Sequence, residues 1–127
     1  MKLILLIETA AISIFAQSCR AQDKTVCQPA LFDGHVKHHS LKIPNSRVFI
    51  KKGSLDMPGL YTNLYDIRVQ ADGNAHYSLS GLEKGDYYIL AIGYDSAISN
   101  AVRGGIPATI SCDPASKTYN IDLPVVE

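Results

Sequence analysis

Asp72-Gly73-Asn74, then His76-Tyr77-Ser78-Leu79-Ser80, then Leu82-Glu83-Lys84-Gly85-Asp86-Tyr87, is the stretch whose reading decides the fold. Asp, Gly and Asn tolerate positive φ, so Asp72–Asn74 reads as a tight turn. His76–Ser80 alternates, with Tyr77 and Leu79 on one face and Ser78 and Ser80 on the other, the period of a half-buried strand. Glu83-Lys84-Gly85 turns the chain again. Asp86–Tyr94 then holds Tyr87-Tyr88-Ile89-Leu90-Ala91-Ile92, apolar on both faces. That composition predicts a central strand with one face in the core and the other covered by a loop.

The same punctuation extends outward in both directions. Gly34–His39 predicts a first strand with Val36 inward, and Lys42–Ser46 a turn built on Pro44 and Asn45. Arg47–Lys52 is a β-branched, alternating strand with Val48 and Ile50 on one face. A longer loop over 53–63 precedes a strand over Tyr65–Gln70. Ser96–Gly105 reads as a polar connection with room for one helical turn, stopped by Gly104-Gly105. Ile106–Cys112 reads as a strand opening at a proline. Asp113–Ser116 reads as a turn, and Lys117–Leu123 as a last strand with Tyr119, Ile121 and Leu123 inward. About seven strands with turns every ~8–12 residues predict an all-β, seven-stranded Greek-key β-sandwich.

Ahead of this domain stands an export pattern. Lys2 precedes the apolar run Leu3–Ile7, and a second run, Ala10–Ala16, follows Glu8. The run is shorter than the ~20 apolar residues of a membrane span. Ala16-Gln17-Ser18-Cys19 resembles a bacterial lipobox, which would make Cys19 the lipidated first residue; cleavage after Ala21 or Gln22 is the rival. The expected organisation is therefore a signal peptide of lipoprotein type over 1–18, a tether and lead-in over 19–31, and the sandwich over 32–127. The expected location is the bacterial cell envelope, periplasmic or outer-membrane-associated, with secretion as the alternative.

Residues 19–127 suffice for one domain with its own core. Twelve basic and twelve acidic residues give zero net charge, which argues against nucleic acid as a partner. Trp is absent, but seven Tyr could serve a sugar-binding platform. If Cys19 carries lipid, Cys27 and Cys112 remain as an even pair in an oxidising compartment. They form either a disulfide or two separate buried thiols.

Gly34-x-Val36, Ile43-Pro44-Asn45-Ser46-Arg47-Val48, Asp72-Gly73 with Tyr77-x-Leu79, and Leu82-x-x-Gly85-x-Tyr87 resemble the transthyretin-like (prealbumin-like) fold. Its carboxypeptidase regulatory-like branch is the nearest likeness. The resemblance spans roughly residues 33–125. The chain is also similar to small exported proteins of Gram-negative bacteria that share the segments Gly85–Tyr88 and Gly104–Pro107. It departs from the branch in Ser46, where Ala is usual, in a later Tyr77, and in the longer insert over 53–63. The resemblance implies a sandwich and says little about function, because this fold hosts many roles.

Candidate chemistry is sparse. His35, His38 and His39 crowd one strand and His76 sits on another, but no carboxylate or thiol falls at ligand spacing beside them in sequence. A solvated polar edge strand is expected there, and no metal site or cofactor. Asp66 with Asp72-x-Asn74 matches no calcium loop and reads as turn chemistry. Transthyretin relatives that hydrolyse a cyclic urate product carry a Tyr-Arg-Gly-Ser tail, whereas this chain closes Leu123-Pro124-Val125-Val126-Glu127. Ser54, Ser96 and Ser99 have no evident base, so no catalytic residue is assigned.

The insert loop is the binding candidate, through Leu55, Met57, Leu60, Tyr61 and Tyr65. Its rival role is to fold over Tyr88, Leu90 and Ile92 as a second small core. The expected function is a non-enzymatic envelope module, structural or protein–protein in role. It would be tethered to a membrane by lipid and met by another envelope protein. A small-ligand or carbohydrate-binding module is the first alternative. A metal-dependent or hydrolytic enzyme is the second.

Overall fold

The computed structural model describes residues 27–112 and 117–127; Cys19 and the export segment lie outside them. The described residues form two packed sheets of five and four strands, an all-β sandwich. Nine strands run in order: β1 (Ala30–His38), β2 (Leu41–Lys42), β3 (Arg47–Lys52), β4 (Ile67–Gln70), β5 (His76–Leu82), β6 (Gly85–Asp95), β7 (Asn100–Ile110), β8 (Thr118–Asn120) and β9 (Leu123–Pro124). Among the described residues no helix is long and apolar enough to cross a membrane.

The first sheet is built around β1. It pairs antiparallel with β5 and β2 on one hand and parallel with β8 and β9. Strict alternation puts Ala30, Phe32, Val36 and His38 inward, each buried. The second sheet runs β4-β3-β6-β7. Val48 and Ile50 of β3 and Ile89 and Ala91 of β6 face inward and meet Phe32, Val36 and Tyr77 in one core. Phe32 lies edge-on to Tyr87 and Tyr119, at ring separations of 5.6 and 6.2 Å, an arrangement that suits the aromatic quadrupole. Gly85 takes φ 149°, which lets β5 turn tightly into β6, and Tyr87 points into the core.

Several expectations are corrected. The first strand begins at Ala30, inside the expected lead-in. It is the centre of its sheet, so the histidine strand is not an edge. His39 lies beyond it with φ 59°, so the alternation that would align His39 with His35 is broken. Ser96–Gly105 is no long connection. A short turn, with the Ile98 amide donating to the Asp95 carbonyl, joins two 11-residue strands in a hairpin from Gly85↔Ile110 to Asp95↔Asn100. Gly104 and Gly105 sit inside β7 because other groups occupy their side-chain space. A Cβ on Gly104 would strike the Pro124 carbonyl, and one on Gly105 the Ile89 carbonyl and the Tyr88 ring.

Pro107 also lies within β7 rather than at its start. Arg103 exchanges two backbone hydrogen bonds with Val126, so its amide points away from β6. Pro107, four residues on, shares that direction on the outer edge, where a missing N–H costs the ladder nothing. The expected strand over Lys117–Leu123 is divided instead between β8 and β9, and Leu123, the first residue of β9, is buried in the core. The Arg103–Val126 pair ties the end of the first sheet to the edge of the second.

Candidate functional site

The insert runs from Gly53, with φ 79°, to Asp66 and is closed at its base. The Gly53 amide donates to the Asp86 carbonyl at 2.7 Å, and the Asp66 amide to the Ile50 carbonyl at 2.9 Å. The Asp66 carboxylate accepts the Lys52 amide at 2.7 Å, and that bond chiefly holds its pKa below the ordinary value. Within the loop, Ser54 Oγ accepts the Asp56 amide, and Thr62–Leu64 make one 3₁₀ turn.

The structure divides the five expected loop residues. Tyr65 folds back: its ring stands 6.0 Å from Phe49, and its hydroxyl donates to the Gly59 carbonyl at 2.8 Å. Burial and the neighbouring Tyr88 push its pKa up. The Arg68 guanidinium lies 5.7 Å over the same Phe49 ring. Phe49 and Leu90, on the outer face of the second sheet, are buried. Leu55, Met57, Leu60 and Tyr61 instead remain exposed, Tyr61 at 79 %. Leu64, which sequence pattern did not single out, joins them. It follows the polar pair Thr62-Asn63, so no apolar run marked it in the sequence.

The histidines do have carboxylate neighbours, contrary to expectation. His76 Nε2 meets Asp33 Oδ1 at 2.6 Å, His35 Nδ1 lies 3.9 Å from Asp122, and the two rings are 5.4 Å apart across β1 and β5. Lys37 Nζ neutralises Asp122 at 3.0 Å. Asp72 is consumed by its turn: its Oδ1 accepts the Asn74 and His76 amides, which hold its pKa low. Asp66 serves the loop base at the other end of β4. Among the described residues, no three His, Cys, Asp or Glu side chains stand together as a metal ion would need.

His38 is the exception in burial. Its Nδ1 meets Asp95 Oδ2 at 2.7 Å with both side chains nearly sealed from solvent, and its Nε2 lies 3.4 Å from Glu127 without an aligned hydrogen bond. Asp95 Oδ1 also accepts the Ala97 amide and so shapes the β6–β7 turn. The bond to Asp95 is the chief cause that lifts His38 above 6.5, and the bond to His38 the chief cause that lowers Asp95 below 3.8. The His38 contribution is complete below ~6.5 and lost as pH rises through its raised pKa, and the Asp95 contribution is lost as pH falls through its depressed one. The melting temperature should therefore decline as pH rises above 6.5 and through the raised pKa of His38. His38→Gln should flatten that decline, whereas an equal decline in wild type and variant would assign it elsewhere.

Cys27 and Cys112 form a disulfide with Cα atoms 5.0 Å apart. Of the tyrosines available to a sugar platform, Tyr77 and Tyr87 are in the core, with hydroxyls given to the Ile121 and Glu83 carbonyls. Tyr61 and Tyr94 are exposed, but one stands on the insert and the other near the β6–β7 turn. No protein-family model matches this chain, and a search of the curated proteins finds none similar to it.

Proposed function

We propose that this chain is an exported module of the bacterial cell envelope with a transthyretin-like sandwich, tethered by lipid at Cys19, that works by contact and not by catalysis. The observation that carries this reading is the insert loop. Five large apolar side chains stand exposed between Leu55 and Leu64, on a loop whose two ends are pinned to a rigid sheet. Exposed apolar clusters of this kind mark interaction sites. The nearest arrangement to a catalytic one, His38 with Asp95, is buried and engaged in fixing a turn. The edge strand β4 offers a second contact by strand addition to another envelope protein.

Two measurements test the reading. Intact mass of the protein from its native membrane fraction should begin at Cys19 and include acyl chains; a start at or beyond Gln22 without lipid would remove the tether. Leu60→Ala with Tyr61→Ala should change stability by no more than about 0.5 kcal/mol, as exposed positions do, and abolish the contact. Tyr65→Ala should instead cost about 1–3 kcal/mol, because Tyr65 covers Phe49. A large stability loss in the Leu60/Tyr61 variant would make the loop tip part of the core and sink the contact role.

A further inference from the structure

The chain reaches the sandwich and the insert leaves it at one pole. Cys27 is bonded to Cys112, which follows the end of β7. Ala30 pairs with Leu82, the turn into β6 follows directly, and Gly85 stands opposite Ile110. Gly53, where the insert begins, is bonded to Asp86 beside that turn, and one cleft of about 250 Å³ is lined by Gly53 together with Ser80–Tyr87. The far pole holds His38, Asp95 and the turn to Asn100.

Distance then favours one occupant for the loop. Residues 20–27 link Cys19 to the disulfide, and eight residues reach at most about 28 Å. β6, with 11 residues, is itself about 36 Å long. An acyl chain on Cys19 would thus keep the insert's pole, and not the far one, against the leaflet. The loop suits that neighbour in chemistry. Between Ser54 and Tyr65 its only charged side chain is Asp56, and the most exposed of its large apolar residues is a tyrosine, an amphipathic ring that favours the membrane interface.

We infer that the insert loop is this protein's second membrane contact, with Leu60 and Tyr61 entering the interfacial layer of the leaflet that holds the lipid. The inference rests on the tethered reading above and names the partner of the same loop. Because Asp56 is the only charged residue between Ser54 and Tyr65, the contact is apolar, and it should depend little on salt or on the anionic lipid fraction.

The chain lacks Trp, so Tyr61→Trp makes the loop the sole indole reporter. The full chain, expressed with export and recovered as mature protein, is reconstituted into phosphatidylcholine vesicles with and without brominated acyl chains. Emission from the introduced indole should shift to the blue and be quenched by bromine. A Tyr94→Trp control near the far pole should stay unquenched. Leu60→Ser with Tyr61→Ser should weaken vesicle partitioning by at least about tenfold. An unquenched loop indole in protein whose mass includes acyl chains would overturn the loop contact and leave the tether standing. Quenching in protein of unlipidated mass would support the contact while removing the tether. A shift that appears only when envelope proteins are added would overturn it in favour of a protein partner.

Discussion

Replacing Cys27 and Cys112 together with serine should cost about 4–5 kcal/mol of stability. The bond spans 85 residues, almost the whole described domain, so its removal frees the unfolded chain from a long closed loop. In the chain-entropy account that loop length sets the magnitude. The native state loses something as well. The bond fixes the start of the chain just ahead of Ala30 and Leu31, where β1 is held to Leu82 and, through the Leu31 amide, to the Lys117 carbonyl. For a domain of about 100 residues the loss corresponds to a fall in melting temperature of about 20 °C or more. Thermal unfolding of wild type with and without a thiol reductant, beside the double-serine variant, measures it. Equal melting temperatures in all three would show that the bond contributes nothing.

Bond and insert share a pole, which gives the prediction a functional side. The insert's tip has few contacts of its own, so its position depends on the base formed by Gly53, Asp66 and Asp86. Loss of the disulfide should loosen the Ala30 and Ile110 ends, which border that base, before it affects the His38–Asp95 pole. Hydrogen exchange on the double-serine variant should therefore rise first at the amides near Ala30 and Ile110.

The sequence made legible what is local and periodic. Alternation placed Val36, Val48, Ile50, Tyr77 and Leu123 inward, and the structure buries each of them. The Asp72 turn was legible because Asp72 caps it with its own side chain. What escaped depends on partners distant in the chain. Gly104-Gly105 reads as a stop only while the Pro124 carbonyl and the Tyr88 ring above it are unknown. The histidines looked isolated because the carboxylates that pair most closely with them lie 43 residues away for His76, 57 for His38 and 87 for His35. The centrality of β1 was hidden for the same reason, since its parallel partners β8 and β9 close the described chain. The loop was legible as a candidate but not its division, because Tyr65 turns inward only to cover Phe49 on a neighbouring strand.

Gly34→Ala should destabilise the domain by about 3 kcal/mol or more, although it adds a single methyl group. Gly34 lies midway along β1, between the segments that pair with β8 and β9. There the crossing chain dips toward it, and an added Cβ would overlap the Ile121 carbonyl, which is backbone and has no rotamer to change. That carbonyl is also the acceptor for the buried Tyr77 hydroxyl at 2.7 Å, a group whose pKa burial drives well up. The crossing is further held by the Ile121 amide on the Asp33 carbonyl and the Val125 amide on the Lys37 carbonyl. Relief of the overlap must lift residues 121–122 away and break these bonds together. Tyr77→Phe removes only the hydroxyl bond and leaves the carbonyl unpaired, so it should cost less, about 1–3 kcal/mol. Denaturant unfolding gives the two losses, and amide exchange locates them: Ile121 and Val125 should lose protection in Gly34→Ala but keep it in Tyr77→Phe. The double variant should lose less than the sum, because once the crossing has lifted there is no hydroxyl bond left to break. Full additivity, or unchanged exchange at Ile121 in Gly34→Ala, would mean that the two residues do not meet at one carbonyl.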